Sequence, residues 1–382
     1  MAWFHFCTAN HNAVGRSTLA DMAAWFEAGL LELGHTVTFS ATSVERSAIN
    51  LFWECFEPGM PEALLGTGIE FGIIATEIPD GQGFNWQREP RWTSRFDTFV
   101  EVAKHARFIW TMTECSVPFY AQFCPTAFIE LGYSPRLLPA GQNPNPHIDF
   151  CFFGLRTPHR EAVIQQLEKH AHVVWPAGLL SPAGVAELIS NSRVGLNFKQ
   201  SAQWPIPSPT RLGRLLMAKR AVAAEHVPTP TRQGDIVGIG PEGVPFHEYA
   251  LHILEGGWRH QAHMAFERYR TEMPMARIME QVLEQTISQR SSTQHAQTVA
   301  IRLYPPVLIS EDALWNYFRW DNDYFCLRKA LGAIDIWQGP QTLQARHGTQ
   351  NVLYADHLPT LYQRAAQMPP APSHPAATEA TS

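Results

Sequence analysis

Basic residues collect in one stretch of this 382-residue chain, at positions suited to holding phosphate. Between residues 151 and 225 there are nine Lys and Arg against Glu161, Glu168, Glu187 and Glu225, a net +5, whereas the whole chain carries −6 and the remainder therefore −11. Arg156 and Arg160 follow a strand-like run at Ile148–Phe153, Lys199 follows another at Val194–Phe198, and Arg211 opens a helix-like segment at Pro209–Ala218. Guanidinium forks and helix N-termini at strand ends suit a diphosphate. A solvated basic face with ordinary helix ion pairs is the competing reading, and Lys169, Lys219 and Arg220 fit it better.

The elements that must position these residues are legible as an alternation. Trp3–Thr8, Thr36–Ser40, Ile49–Trp53, Phe71–Ala75, Arg107–Met112 and Phe128–Leu131 are short apolar runs that read as buried strands,. Leu19, Met22, Ala23, Phe26, Leu30 and Leu33 recur at helical spacing, with Ser17 placed to cap and Gly34 to end the helix,. After the proline-rich linker Gln142–Pro146 the alternation restarts, with strands at Ile148–Phe153, His172–Trp175, Val194–Phe198 and Ala221–Ala224 and helices between them. The expected fold is therefore α/β: two facing Rossmann-like parallel-sheet units with a cleft between the carboxyl ends of their strands. The expected boundaries are 1–145, 146–298, a helical and aromatic C-terminal extension at 299–367, and a disordered Pro/Ala/Thr/Ser-rich tail at 368–382,.

Composition excludes several classes. Hydrophobic residues at 45%, with 12 Trp and 22 Phe, rule out wholesale disorder,. The net charge excludes a basic nucleic-acid coat,. No apolar run approaches the ~18–20 residues of a membrane span, and the amino terminus lacks the cationic start and apolar core of a signal peptide,. Six cysteines at 7, 55, 115, 124, 151 and 326, with no Cys-x-x-Cys, read as reduced thiols in a cytoplasmic protein,. His260 and His263 approach ligand spacing, but no carboxylate or thiol cluster completes a site, so no metal is expected,. Gly238-Ile239-Gly240-Pro241-Glu242-Gly243 fits a dinucleotide fingerprint, yet Pro241 lacks an N–H and extended chain follows, which argues against that reading,.

The stretch Asp149-Phe150-Cys151-Phe152-Phe153-Gly154, then Arg160, Val194-Gly195-Leu196-Asn197-Phe198, Pro209-Thr210-Arg211-Leu212-Gly213-Arg214, and Ala221-Val222-Ala223-Ala224-Glu225 resembles the donor half of GT-B glycosyltransferases. It is most similar to the bacterial and phage branch that includes CgeB-like and family-1-like transferases. Phe71–Glu77, Phe108–Thr111 and Leu131–Pro135 fall in the order of the amino half, so the resemblance covers roughly residues 1–290 and rests on order and spacing. It implies a metal-independent enzyme moving a sugar from a nucleotide-sugar to an unidentified acceptor hydroxyl, with no bound cofactor. It implies donor contacts from Gly154, Arg156, Arg160, Asn197, Lys199, Thr210, Arg211 and Glu225. Glu225 would take hydrogen bonds from ribose or sugar hydroxyls, or instead pair with a nearby arginine.

The acceptor-side candidates are Asn12 and Gly15, in the turn after the first strand, and Trp86, an indole able to stack on a sugar ring. Two residues are candidate bases: His11, which titrates near neutrality, and Glu77, at a strand end,. The chain departs from the retaining pattern of two glutamates seven residues apart, with Pro207 and Arg214 at those positions. Two alternatives stay open: a GT-B-like protein that binds nucleotide or glycan without turnover, and a glycosyltransferase acting on modified DNA, the one reading with a nucleic-acid partner.

Overall fold

The computed structural model describes residues 1–8, 13–57, 59–139, 141–287, 298–300, 307–320, 323–332 and 340–369. The first part of the chain runs β1 (Trp3–Cys7), α1 (Ala13–Glu32), β2 (Thr36–Ser40), β3 (Ser43–Glu45), β4 (Ile49–Trp53), α2 (Met60–Leu65), β5 (Phe71–Ala75), α3 (Pro90–Ala103), β6 (Phe108–Thr111), α4 (Val117–Tyr120) and β7 (Thr126–Phe128). Its six-stranded sheet has the order β2-β1-β4-β5-β6-β7, and every pairing is parallel. Strands β5 and β6 are buried throughout, as a parallel sheet covered on both faces requires,. The expected capping role of Ser17 fails, because α1 already begins at Ala13. The strand expected at Phe128–Leu131 lies earlier, at β7, and leaves 129–131 free for other bonds.

The second sheet is built from β8 (Ile148–Cys151), α5 (Pro158–Leu167), β9 (Val173–Val174), α6 (Pro182–Ser190), β10 (Ser192–Asn197), α7 (Pro209–Met217) and β11 (Ala221–Ala224), in the parallel order β11-β10-β8-β9. Proline at the first turn of α5, α6 and α7 fixes each helix start, and Thr157 and Ser181 cap the first two,. Four helices follow: α8 (Arg232–Val237), α9 (Phe246–Glu255), α10 (Trp258–Glu272) and α11 (Met275–Thr286). The two sheets are the paired α/β units expected from the sequence, and they belong to one compact body, Met1–Phe56 with Leu64–Ala300.

Helix α11 falls inside the expected second unit, 146–298, yet it packs on the first sheet. Gly29 of α1 lets Met275 and Met279 approach to where a Cβ would lie 3.1 and 3.2 Å away, and Trp110 Nε1 of β6 donates to Thr286 Oγ1 at 3.0 Å. The segment 131–133 ties the sheets together. Leu131 O accepts from Gln233 Nε2 at 2.8 Å and Tyr269 Oη at 2.7 Å, and Gly132 O accepts from Trp25 Nε1 at 2.8 Å. Tyr133 N donates to Met273 O and Tyr133 O accepts from Met275 N, both at 2.7 Å. A further short strand, β12 (Thr298–Ala300), pairs antiparallel with β3.

The second compact unit comprises Glu57–Ala63 and residues 301–382. Where a helical and aromatic extension was expected, the described residues form an antiparallel sheet in the order β13 (Val307–Glu311), β14 (Trp315–Trp320), β15 (Asp323–Arg328), β16 (Val352–Ala355), with helices α12 (Pro340–His347) and α13 (Leu358–Ala366). The aromatic run alternates with period two: Trp315 and Tyr317 pack with Leu361 of α13, and Phe318 turns to the face that carries Leu343 of α12,. The expected tail lies, from residue 370, outside the described residues.

A Cβ at Gly132 would stand 2.4 Å from the Met273 carbonyl oxygen and 2.6 Å from Ile278 Cδ1. Gly132→Ala is expected to lower stability by about 1–3 kcal/mol, the usual cost of overpacking. An unchanged urea midpoint would refute the close approach.

Candidate functional site

The carboxyl edge of the second sheet holds two buried cations on one ring. Arg160, in the first turn of α5, and Arg211, in the first turn of α7, place their guanidinium carbons 5.2 and 4.5 Å from the centroid of Phe152, just beyond β8. Arg160 donates to Lys199 O at 3.2 Å and Leu155 O at 2.8 Å. Arg211 donates to Phe153 O at 3.1 Å and Asn197 Oδ1 at 3.2 Å. Among the described residues neither forms an ion pair with a carboxylate. Burial pushes Arg160 down to about 10; burial, and then the neighbouring Arg160 charge, push Arg211 down to about 9. A Cβ at Gly154 would lie 2.8 Å from Arg211 Nη2, so a larger residue there would displace this guanidinium.

Other expected donor residues surround this pair in different roles. Asn197, buried at the end of β10, binds Ser208 through both main-chain groups and so fixes the start of α7. Thr210 lies in the first turn of α7, whose N-terminus has no side-chain cap. Arg156 is exposed and stacks on Trp175 at 4.1 Å. Glu225, after β11, accepts from Lys199 N at 2.7 Å and from His159 Nε2 at 3.1 Å, and its Oε1 lies 3.4 Å from Lys199 Nζ. Its partners are thus a lysine and a histidine, and His159 was not singled out from the sequence; its place beside Arg160 in the first turn of α5 was the available signal.

Beside Glu225 opens a pocket of about 270 Å³, lined by Lys199, His226, Gly240, Glu242, Phe246 and Tyr249 among others. The glycine run at 238–243 follows α8, and Ile239 bridges Ala224 at the end of β11, so it is a pocket wall and not the strand–turn–helix of a dinucleotide fingerprint. Arg214, which stands where the retaining pattern has a second glutamate, pairs with Asp21 of α1 and spans the two sheets. Between the sheets lies a narrow cavity of about 20 Å³, bordered by Met112, Thr113 and Glu130 on one side and Ile206, Pro207 and Thr231 on the other.

On the first sheet, Glu77 stands just past β5. Burial raises its pKa, and the hydrogen bond from Asn85 Nδ2 works in the opposite direction. Behind it is Glu54, which the sequence did not reveal. It sits past the end of β4 and is only 4% exposed, with a left-handed backbone at both Glu54 and Cys55 (φ 64° and 53°). Its Oε1 accepts from Thr76 N at 2.8 Å and from the Thr76 hydroxyl, while Oε2 is buried without a partner. Burial, then the Glu77 charge, hold the Glu54 carboxyl protonated far above the usual range,. Trp86 is 49% exposed. His11 and Asn12 lie outside the described residues, and Gly15 falls within α1. Among the described residues no group of three or more His, Cys, Asp or Glu stands together to hold a metal ion, and no helix is long and apolar enough to cross a membrane.

No family model and no curated protein matches the chain. Solved structures that it is similar to include TarM, at 10% identity and a TM-score of 0.45 over 64% of this chain and 55% of TarM. A DNA-modifying β-glucosyltransferase, solved with and without its substrate uridine diphosphoglucose, gives 8% identity and a TM-score of 0.49 over 75% of this chain and 100% of that one. AviGT4, a glycosyltransferase involved in avilamycin A biosynthesis, gives 12% and 0.43 over 75% and 97%. The chain thus spans little more than half the length of TarM.

Because folded Glu54 keeps a proton that the unfolded chain releases near pH 4.3, the native state binds more protons above that pH, and stability falls as pH rises,. Glu54→Gln imitates the protonated form. Its melting temperature is expected to exceed that of the wild type by a margin that widens from pH 5 to pH 8 and closes near pH 4; a margin independent of pH would contradict the buried proton.

Proposed function

We propose that this chain is a glycosyltransferase that moves a sugar from a nucleotide diphosphate donor to an acceptor hydroxyl. The observation that carries this reading is the Arg160–Arg211 pair: two buried guanidinium groups share one ring with no carboxylate in ion-pair contact among the described residues, and the Glu225 charge offsets only part of the burial cost at Arg160. Buried like charges are costly unless an anion neutralises them, and a diphosphate supplies that anion at the uncapped start of α7,. The pocket beside Glu225, about 270 Å³ and walled by Phe246 and Tyr249, suits the nucleoside,.

In this scheme the acceptor oxygen bonds to the anomeric carbon as the bond from that carbon to the diphosphate breaks. Negative charge grows on the leaving diphosphate, where Arg160, Arg211 and the N–H groups of α7 stabilise it without a metal. The acceptor proton passes to Glu77, whose pKa is raised by burial toward the range a general base needs,. His11 remains the other candidate base from the sequence. A second reading, nucleotide binding without turnover, is favoured by Glu225, whose oxygens already hold Lys199 and His159, and by Arg214, which pairs with Asp21. Nucleotide release from a panel of UDP-, GDP- and ADP-sugars separates the two.

Arg211→Met is expected to weaken binding of the matching nucleoside diphosphate by about 10–100-fold, the worth of a charge-assisted hydrogen bond at ~1.5–3 kcal/mol. Calorimetry that shows equal affinity in both proteins would remove Arg211 from the phosphate site. Transfer is expected to persist in EDTA, and a requirement for added Mg²⁺ or Mn²⁺ would overturn the metal-free scheme.

A further inference from the structure

Trp86 is presented to solvent by a loop built to hold it there. Phe84 anchors the loop: it is fully buried against Phe56, Phe96 and Phe99, with ring centroids at 5.2, 5.1 and 5.4 Å. The next two residues, Asn85 and Trp86, both take left-handed backbone conformations (φ 53° and 60°), ordinary for an asparagine but rare for a residue as bulky as tryptophan,. The bonds that hold them are specific. Trp86 N donates to Asp80 Oδ2 at 2.7 Å, Asn85 N donates to Ile78 O at 2.8 Å, and Ile78 N donates to Asn85 Oδ1 at 3.0 Å. Arg88 grips both oxygens of Asp80 at 3.0 Å. An indole that could have joined the phenylalanine cluster is instead turned outward. Asn85, its immediate neighbour, is the residue that hydrogen-bonds Glu77.

Facing it from the other sheet is Trp204, on the segment between β10 and α7. The two rings lie 6.4 Å apart at 73°, so that together they offer a face and an edge, an aromatic corner to which both halves contribute. We infer that this corner binds a pyranose ring and that the acceptor is an uncharged carbohydrate. This rests on the glycosyltransferase reading. A sugar's axial C–H face packs on the electron-rich face of an indole, while its hydroxyls point outward to polar groups such as Glu77. On the Trp86 side charge disfavours a polyanion: residues 1–145 hold eight Lys and Arg against fifteen Asp and Glu, a net −7, and Arg88 is already paired with Asp80, while the +5 of residues 151–225, which include Trp204, is assigned to the donor diphosphate. A phosphate backbone needs unpaired cations along its track, and the half of the chain that carries Trp86 has an acidic balance.

The test is a binding measurement that does not depend on transfer. Tryptophan fluorescence of the full chain is titrated with a panel of neutral oligosaccharides, and separately with a 20-mer duplex DNA, in wild type, Trp86→Ala, Trp86→Phe and Trp204→Ala. At least one oligosaccharide is expected to quench saturably. Trp86→Ala should weaken that binding at least tenfold, Trp86→Phe by no more than about threefold, and Trp204→Ala by an intermediate factor. Affinity for nucleoside diphosphate should be unchanged in Trp86→Ala. Binding to DNA but to no oligosaccharide, binding to neither, or oligosaccharide binding that survives Trp86→Ala would each overturn the inference. Oligosaccharide binding without any nucleotide binding would leave this inference standing and sink the donor reading alone.

Discussion

Three consecutive carbonyls, at Leu131, Gly132 and Tyr133, set the relation between the two sheets. Leu131 and Gly132 are buried and Tyr133 is half-buried, and each carbonyl is taken by a donor from another element: Gln233 and Tyr269, Trp25, and the main chain of Met275. Leaving any one unsatisfied would cost about 1–3 kcal/mol. The seam can therefore shift only by exchanging several bonds at once. It also explains why α11 returns to the first sheet: once Tyr133 is paired with Met273 and Met275, the next turns of chain lie over α1, where Gly29 leaves them room.

The cation pair depends on that frame. Arg160 and Arg211 come from two helices after two different strands; Arg160 is held by two main-chain carbonyls and Arg211 by one carbonyl and the Asn197 amide oxygen, with no carboxylate in contact among the described residues. A carboxylate in direct contact would cancel more of that charge than the more distant Glu225 does. Lys199 makes the contrast: it sits nearby but spends its charge on Glu225.

Most strands were legible in the sequence because a buried parallel strand is a short apolar run. Thr36–Ser40, Ile49–Trp53, Phe71–Ala75 and Ala221–Ala224 occur with the expected bounds. Arg160 and Arg211 were legible from their places after strands. Glu54 was not, because its significance lies in a left-handed backbone and in the nearness of Glu77, and neither leaves a local pattern. The role of Asn197 as a brace for α7 and the pairing of Arg214 with Asp21 are likewise tertiary facts. The antiparallel sheet of the C-terminal extension was not legible, because an aromatic-rich segment such as Trp315–Trp320 shows its period of two only through the alternate rings that face different helices.

Arg211 and Arg214 lie one turn apart on α7, the first on the Phe152 ring and the second on Asp21 of the opposite sheet. The helix is therefore tied at one end to the ring after β8 and one turn later to α1, so two side chains of a nine-residue helix fix its position against elements of both halves.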